Sequence, residues 1–297
     1  MDKKIAIITA TGGSLGTGHF QRMLFFAQYA NEKKRLKAQI YSKTMAPLDG
    51  LEYLWSDSLK EANLIIRDMR DSNTEEIKIL KKHAPVLSID DMGEGNAISD
   101  YSLYLLPNLS LNHIDFDKFL YGYNFYNGLK EISEENIYKD IDFLIYPGIS
   151  PDSKTLEILQ KILPEGSKSL VLIKGKAYNL HSKELSKINN YSELILRAKN
   201  VITHFGITLF EAKISQCNII SFNPSDYHQR LTELIARDLN IELSCQYSEI
   251  NSNHTQEELH RIYKNSQKKD NYIAKSPILI KIETKVKNFT RYIENLL

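Results

Sequence analysis

Short apolar runs alternate along this chain with stretches whose apolar positions recur every three or four residues. In the first half the runs Ile5–Thr9, Ala38–Ser42, Asn63–Arg67 and Val86–Ile89 read as strands, with a helical pattern at Thr74–His83 among the segments between them. In the second half, strands are expected at Phe143–Tyr146, Leu170–Ile173, Val201–Thr203 and Ile219–Phe222. Helices are expected at Ser153–Leu163, Tyr191–Ala198, Leu209–Ile214 and His228–Asp238. This alternation predicts parallel sheets covered by helices on both faces. The pattern restarts near Asp140, after the charged stretch Lys130–Glu135, so two doubly wound α/β domains are expected, 1–137 and 138–297. Near the end, Ile282, Val286, Phe289 and Ile293 fall at i, i+4, i+7 and i+11, one face of an amphipathic helix over about 278–297.

Composition changes this picture little. The 297 residues are 42% hydrophobic and 25% charged, an ordinary globular balance, and suffice for two domains. A net charge of +1 gives no global field for nucleic acid. Residues Lys264–Leu297 carry eight Lys/Arg against three Asp/Glu. Glu283 and Glu294 dilute that charge, so the amphipathic helix reads as packed on the protein with its lysines in water rather than on a membrane. Cys217 and Cys245 stand far apart and fit neither a disulfide framework nor a zinc spacing. No apolar stretch approaches the roughly 18 residues of a membrane helix. Met1-Asp2-Lys3-Lys4 leads directly into a strand, so a cytoplasmic enzyme is expected.

The densest chemical signal is Gly12-Gly13-Ser14-Leu15-Gly16-Thr17-Gly18-His19-Phe20-Gln21-Arg22, between the first strand and a helical pattern at Phe20, Met23, Leu24 and Ala27. A glycine turn there points backbone N–H groups and a positive helix end at an anionic ligand. Gly13 to Gly18 has P-loop spacing, but His19 and Phe20 stand where Lys and Ser/Thr are needed. Gly16-Thr17-Gly18 opens a dinucleotide fingerprint, but Gln21 stands at its third glycine. A nucleoside triphosphatase and an NAD enzyme are thereby disfavoured. What remains is a turn with an ionisable histidine at its tip, suited to a phosphorylated or sugar-diphosphate substrate.

Four further segments end strands and precede helices. In Tyr146-Pro147-Gly148-Ile149-Ser150-Pro151-Asp152-Ser153, Gly148 permits a close turn and Ser150, Asp152 or Ser153 can cap the helix. In Thr203-His204-Phe205-Gly206-Ile207-Thr208-Leu209-Phe210-Glu211-Ala212, Gly206 and the N–H groups near Thr208 suit a diphosphate. Glu211 there either accepts from a ribose diol or simply complements the helix dipole. Asn223-Pro224-Ser225-Asp226-Tyr227-His228-Gln229 presents Tyr227, His228 or Gln229, or is an ordinary cap. Ile89-Asp90-Asp91-Met92-Gly93 pairs two aspartates for sugar hydroxyls; as a metal signal it lacks a third ligand at fixed spacing. All of these lie at strand C-termini, the edge where open α/β sheets bind ligands.

Taken in order, Gly16-Thr17-Gly18-His19-x-x-Arg22, Ile89-Asp90-Asp91, Gly148-Ile149-Ser150-Pro151-Asp152, Gly206-Ile207-Thr208-x-x-Glu211-Ala212 and His228-Gln229 resemble the UDP-sugar hydrolases of the pseudaminic and legionaminic acid pathways. They are similar also to the wider glycosyltransferase-B group, including the transferase that adds N-acetylglucosamine to a peptidoglycan lipid. The resemblance spans about residues 5–240. It implies two Rossmann-like domains facing a central cleft, with the last helix packing back toward the first domain. It implies UDP held by the second domain: Glu211 on the ribose, Gly206 and Thr208 near the diphosphate, with Gly148, Ser150, His204 and Gln229 as further contacts. Gly16, Thr17, Gly18, Arg22 and Asp91 would meet the sugar phosphate. His19 matches the proposed catalytic histidine, activating water for inverting attack on the anomeric carbon with no metal or other cofactor. This chain departs from those hydrolases at Phe210, where they carry an asparagine thought to place water, and at Thr9-Ala10-Thr11, where they tend to have an acidic residue. The resemblance implies hydrolysis of a UDP-linked deoxy amino sugar in nonulosonic acid synthesis for a surface glycan, with a glycosyltransferase of the same fold as the first alternative and a non-catalytic nucleotide-sugar binder as the second.

Overall fold

The first strand, β1 (Lys4–Thr9), is apolar at nearly every position because both of its faces are covered, as a central parallel strand requires. The computed structural model describes residues 3–9, 17–33, 36–42, 46–109, 116–147, 153–268 and 271–297. Around β1 lie β2 (Lys37–Tyr41), β3 (Trp55–Ser56), β4 (Leu64–Asp68), β5 (Val86–Ile89) and β6 (Tyr101–Leu103), in the order β3-β2-β1-β4-β5-β6. Every pairing in this sheet is parallel. The direction of winding reverses between β1 and β4, which makes that pair the topological switch point. Helix α1 (Gly18–Glu32) follows β1, and α2 (Thr74–Lys81) joins β4 to β5, started by Asn73, whose side chain accepts from the Glu76 N–H.

A second sheet repeats the plan. After α3 (Tyr123–Glu131) and the short strand β7 (Asn136–Tyr138) come β8 (Ile141–Ile145), β9 (Ser169–Ile173), β10 (Lys176–Asn179), β11 (Ala198–Thr203), β12 (Asn218–Asn223) and β13 (Ile241–Gln246). Their order, β10-β9-β8-β11-β12-β13, puts the switch point between β8 and β11. Only β10, an edge strand, runs antiparallel. Helices α4 (Ser153–Ile162), α5 (Tyr191–Arg197), α6 (Ile207–Ile214), α7 (Asp226–Leu239) and α8 (Asn253–Ser266) complete the layers. The strand β14 (Tyr272–Ala274) pairs with β7 and leads into α9 (Lys275–Leu296).

By its contacts the chain divides into Met1–Tyr123 with Lys281–Leu297, and Asn124–Ile280. The sequence pattern puts the boundary at 137/138; the contacts put it at 123/124, because α3 belongs with the second sheet. Asn190 Nδ2 donates to the Gly128 carbonyl at 2.9 Å, and Ser192 Oγ donates to that of Phe125 at 2.7 Å. The first core includes Ile65, Ile77 and Val86, and the second Phe143, Ile145 and Ile220. The amphipathic face of α9 is used: Ile282, Val286, Phe289 and Ile293 are fully buried, and Phe289 meets Phe26 edge-on at 4.9 Å. Among the described residues, no helix is long and apolar enough to cross a membrane.

Candidate active site

At the first switch point, α1 begins at Gly18, so His19 lies in its first turn and Arg22 at the start of the second, three residues apart and on one face. His19 is thus a helical residue rather than a loop tip. Strand β4 supplies Asp68 as its last residue, paired in register with Thr9 and Ile89. Four ionisable side chains meet there. His19 Nδ1 lies 2.7 Å from Asp68 Oδ1. Arg22 donates from Nε to Asp68 Oδ2 at 2.6 Å, and from Nη2 to Asp68 Oδ1 at 2.5 Å and Asp90 Oδ2 at 2.6 Å. All four are buried, Asp68 completely.

The protons can be placed from these distances. Burial alone raises the Asp68 carboxyl, but the Arg22 charge and His19 outweigh it and hold its pKa at about 2. An ionised carboxylate only accepts, so His19 Nδ1 carries the proton it gives to Asp68. Arg22 Nη2 stands 3.1 Å from the same Nδ1. Both are donors, and they are close because both converge on Asp68 Oδ1. The Nε2 lone pair of His19 is left as the basic site, and Nε2 makes no hydrogen bond to a described residue.

The trio His19, Asp68 and Asp90 has metal-ligand spacing. Yet Arg22 Nη2 lies within 3.1 Å of the nearest ligand atom of each. A guanidinium nitrogen occupies the point an ion would take, so Arg22 already fills this donor set.

Asp90 is held by its surroundings. Its φ of 53° is a left-handed conformation that costs a non-glycine residue free energy. Its Oδ1 accepts from the N–H groups of Leu105 at 2.7 Å and Leu106 at 3.0 Å. Asp91, the residue expected to meet substrate, is turned the other way. It accepts from the N–H groups of Ser72 and Gly93, both at 2.9 Å, and from Arg67 Nη1 at 3.2 Å. It fastens a turn so close that a Cβ on Gly93 would lie 2.1 Å from the Ser72 carbonyl oxygen. Arg22 likewise gives its Nε and Nη2 to the two aspartates rather than to a phosphate.

In the second unit, the β11–α6 turn brings His204, Gly206, Thr208 and Glu211 to one edge. Glu211 is 2% exposed, and its Oε2 accepts from the Tyr191 hydroxyl at 2.5 Å. Tyr191 also lies 3.1 Å from Thr208 Oγ1. Burial and the Glu211 charge raise Tyr191 well above a normal phenol, so it stays protonated. His204 Nδ1 donates to the Phe205 carbonyl at 2.9 Å, and burial lowers the imidazole's pKa. The neutral ring therefore offers Nε2 as an acceptor, suited to a hydroxyl or N–H rather than a phosphate oxygen. A Cβ built on Gly206 meets open space, which leaves the backbone at the start of α6 approachable. Gln229 is turned away from this edge: its Oε1 accepts from Asn223 Nδ2 at 2.9 Å, and its Nε2 donates to Glu233 at 2.9 Å. Gly16, Gly148 and Ser150 lie outside the described residues, whereas Thr17 and Gly18 stand at the start of α1, where Thr17 makes no side-chain cap.

Solved structures share the fold over nearly the full length of the chain. A kitacinnamycin glycotransferase superposes with a TM-score of 0.55 at 8% identity over 99% of each chain. A spinosyn rhamnosyltransferase complexed with thymidine diphosphate gives 0.55, 8% and again 99% of each chain. The UDP-GlcNAc 2-epimerase of Neisseria meningitidis bound to UDP-GlcNAc gives 0.53 at 10% identity, over 99% of this chain and 100% of its own. The chain has the GT-B glycosyltransferase fold. At such identities the likeness is one of fold alone. No protein-family profile matches the sequence, and no curated protein does.

Within this GT-B fold, two participants escape a reading of the sequence. Asp68 follows the apolar run and looks like the residue after a strand; only its register with Thr9 and Ile89 makes it the strand's last member. Tyr191 opens a helix far from any glycine turn. The signal available for Asp68 was its position, since an acidic residue ending a β-strand beside the switch point stands at the ligand edge.

Proposed function

We propose that this protein cleaves the anomeric C–O bond of a UDP-linked sugar by hydrolysis, releasing UDP with inversion. One observation carries the reading: a buried histidine whose Nδ1 proton is fixed on an ionised aspartate 2.7 Å away, at the switch point of a Rossmann-like sheet. His19 Nε2 takes a proton from water, the water oxygen bonds to the anomeric carbon, and the carbon–oxygen bond to the diphosphate breaks with its electron pair leaving on UDP. The proton returns from His19 to solvent. By the resemblance, the leaving diphosphate is held by backbone N–H groups at a helix start, which suit the charge it develops. Asp68 orients the imidazole and balances the charge it acquires, and Arg22 positions Asp68 and Asp90.

The sugar class, a deoxy amino sugar of nonulosonic acid synthesis, rests on the sequence resemblance. The fold does not dictate the nucleotide. The rhamnosyltransferase was complexed with thymidine diphosphate and the epimerase bound to UDP-GlcNAc, so for this chain the choice falls to side chains. A second reading is glycosyl transfer, in which His19 deprotonates an acceptor hydroxyl instead of water. Phe210 favours it, standing where the hydrolases resembled carry the asparagine thought to place water.

The deciding experiment incubates the pure protein with UDP-diacetamido-trideoxyhexoses in D2O, without acceptor, followed by proton and phosphorus NMR. Hydrolysis yields UDP and free sugar with inverted anomeric configuration. Bound UDP-sugar without release moves the assignment to transfer, and deuterium appearing at C2 moves it to epimerisation. Glu211→Ala is expected to weaken UDP binding by about 1–3 kcal/mol, the range for a lost charged hydrogen bond. Unchanged affinity by calorimetry removes Glu211 from the nucleotide site.

A further inference from the structure

We infer that Tyr191 is the positioning residue that fixes the Glu211 carboxylate and so makes the site select ribonucleotides over 2′-deoxyribonucleotides; this rests on the reading of Glu211 as the ribose contact. The argument begins with the placement of Tyr191. It is the first residue of α5, and Asn190 caps that helix by accepting from the N–H groups of Ser192 at 2.9 Å and Glu193 at 3.1 Å. The cap is tied to α3 through the Gly128 carbonyl. A Cβ on Gly128 would fall 2.5 Å from Ser192 Oγ and 2.7 Å from Asn190 Oδ1, so α3 and α5 meet at a distance only glycine allows. The Tyr191 ring is flanked edge-on by Tyr146 at 5.9 Å and Phe125 at 6.3 Å. Its hydroxyl is therefore presented from a fixed direction.

The direction of the hydrogen bonds follows from the charges. The phenol stays protonated and donates to Glu211, so its oxygen accepts from the Thr208 hydroxyl. The relay runs one way, from Thr208 to Tyr191 to Glu211. It holds one carboxylate oxygen and with it the plane of the whole group. A cis-diol gives two hydrogen bonds to a carboxylate only if that plane is set, whereas a single hydroxyl tolerates rotation. Loss of the phenol oxygen therefore costs a ribose, with 2′ and 3′ hydroxyls, more than a deoxyribose with the 3′ hydroxyl alone.

The test measures binding of UDP and 2′-deoxy-UDP to the full chain by calorimetry, with melting temperatures as a control for folding. The wild type is expected to prefer UDP about tenfold, one lost hydrogen bond's worth, and Tyr191→Phe to reduce that preference to about twofold. Thr208→Val removes the donor to the phenol, and any diphosphate contact it also removes is common to both nucleotides, so its UDP to 2′-deoxy-UDP ratio should fall between them. In the Glu211→Ala background, Tyr191→Phe should change neither affinity further. Equal losses for both nucleotides in Tyr191→Phe, or an unchanged ratio, overturn the assignment while Glu211 keeps its role. If Glu211→Ala binds UDP as the wild type does, the nucleotide reading itself falls, a distinct result. If Tyr191→Phe does not fold, the Thr208→Val ratio decides, and an unchanged ratio there overturns the relay.

Discussion

Asp68→Asn is expected to lower kcat about 10³- to 10⁴-fold, nearly as much as His19→Ala, although asparagine keeps the shape of the side chain. The carboxylate accepts the Nδ1 proton of His19 at 2.7 Å and leaves Nε2 as the base. An amide at the same place can turn its NH2 toward Nδ1. The imidazole then carries its proton on Nε2 and has no lone pair there for water. Arg22 adds to the effect: its Nε and Nη2 donate to the two Asp68 oxygens, so whichever way the amide is turned one of these donors faces its NH2. The two substitutions disable one unit, so the double variant should be no slower than the worse single one. UDP affinity should stay within about twofold in each, because neither side chain belongs to the nucleotide site proposed above. Single-turnover kinetics with UDP calorimetry on the same preparations check this. An Asp68→Asn enzyme retaining more than about a tenth of wild-type kcat removes the dyad from the mechanism.

The sequence made one half of this dyad legible and hid the other, for a physical reason. His19 stands out because glycine turns and helix starts are local, written within a few neighbouring residues. The winding of both sheets was legible on the same grounds, since buried parallel strands appear as apolar runs. Asp68 is 49 residues from His19 and joins it only through the pairing of β1 with β4. No local pattern encodes register. The aspartate pair after β5 shows the same limit from the other side. Asp90 and Asp91 are equivalent as a motif, and only the left-handed backbone at Asp90 sends one toward Arg22 and the other into the Ser72–Gly93 turn. Tyr191 reaches Thr208 and Glu211, seventeen and twenty residues on, through an aromatic packing that no periodicity announces.

Arg22→Met should be the most destabilising single change in the first unit, by about 3–5 kcal/mol near neutral pH. Arg22 is 2% exposed, and methionine replaces much of its volume, so the loss is mainly electrostatic. Removing the guanidinium strands two buried carboxylates, with His19 beside one of them. The pH dependence has a definite sign. In the wild type the Asp68 pKa is about 2, below its unfolded value. Its contribution is thus fully present above the unfolded value, about 4, and is lost as pH falls toward 2. In the variant the burial that raises this carboxyl is no longer opposed by Arg22, so Asp68 protonates at higher pH and the folded state sheds that stranded charge. The stability gap should therefore be widest near pH 7 and narrow steadily as pH is lowered toward 4. Arg22→Lys should fall between, because one ammonium cannot reproduce the Nε and Nη2 contacts to two aspartates. Urea unfolding of the three proteins at several pH values measures both the gap and its slope. A gap independent of pH would mean that lost packing rather than charge governs the site, and Arg22 would no longer be the group that holds Asp68 ionised for His19.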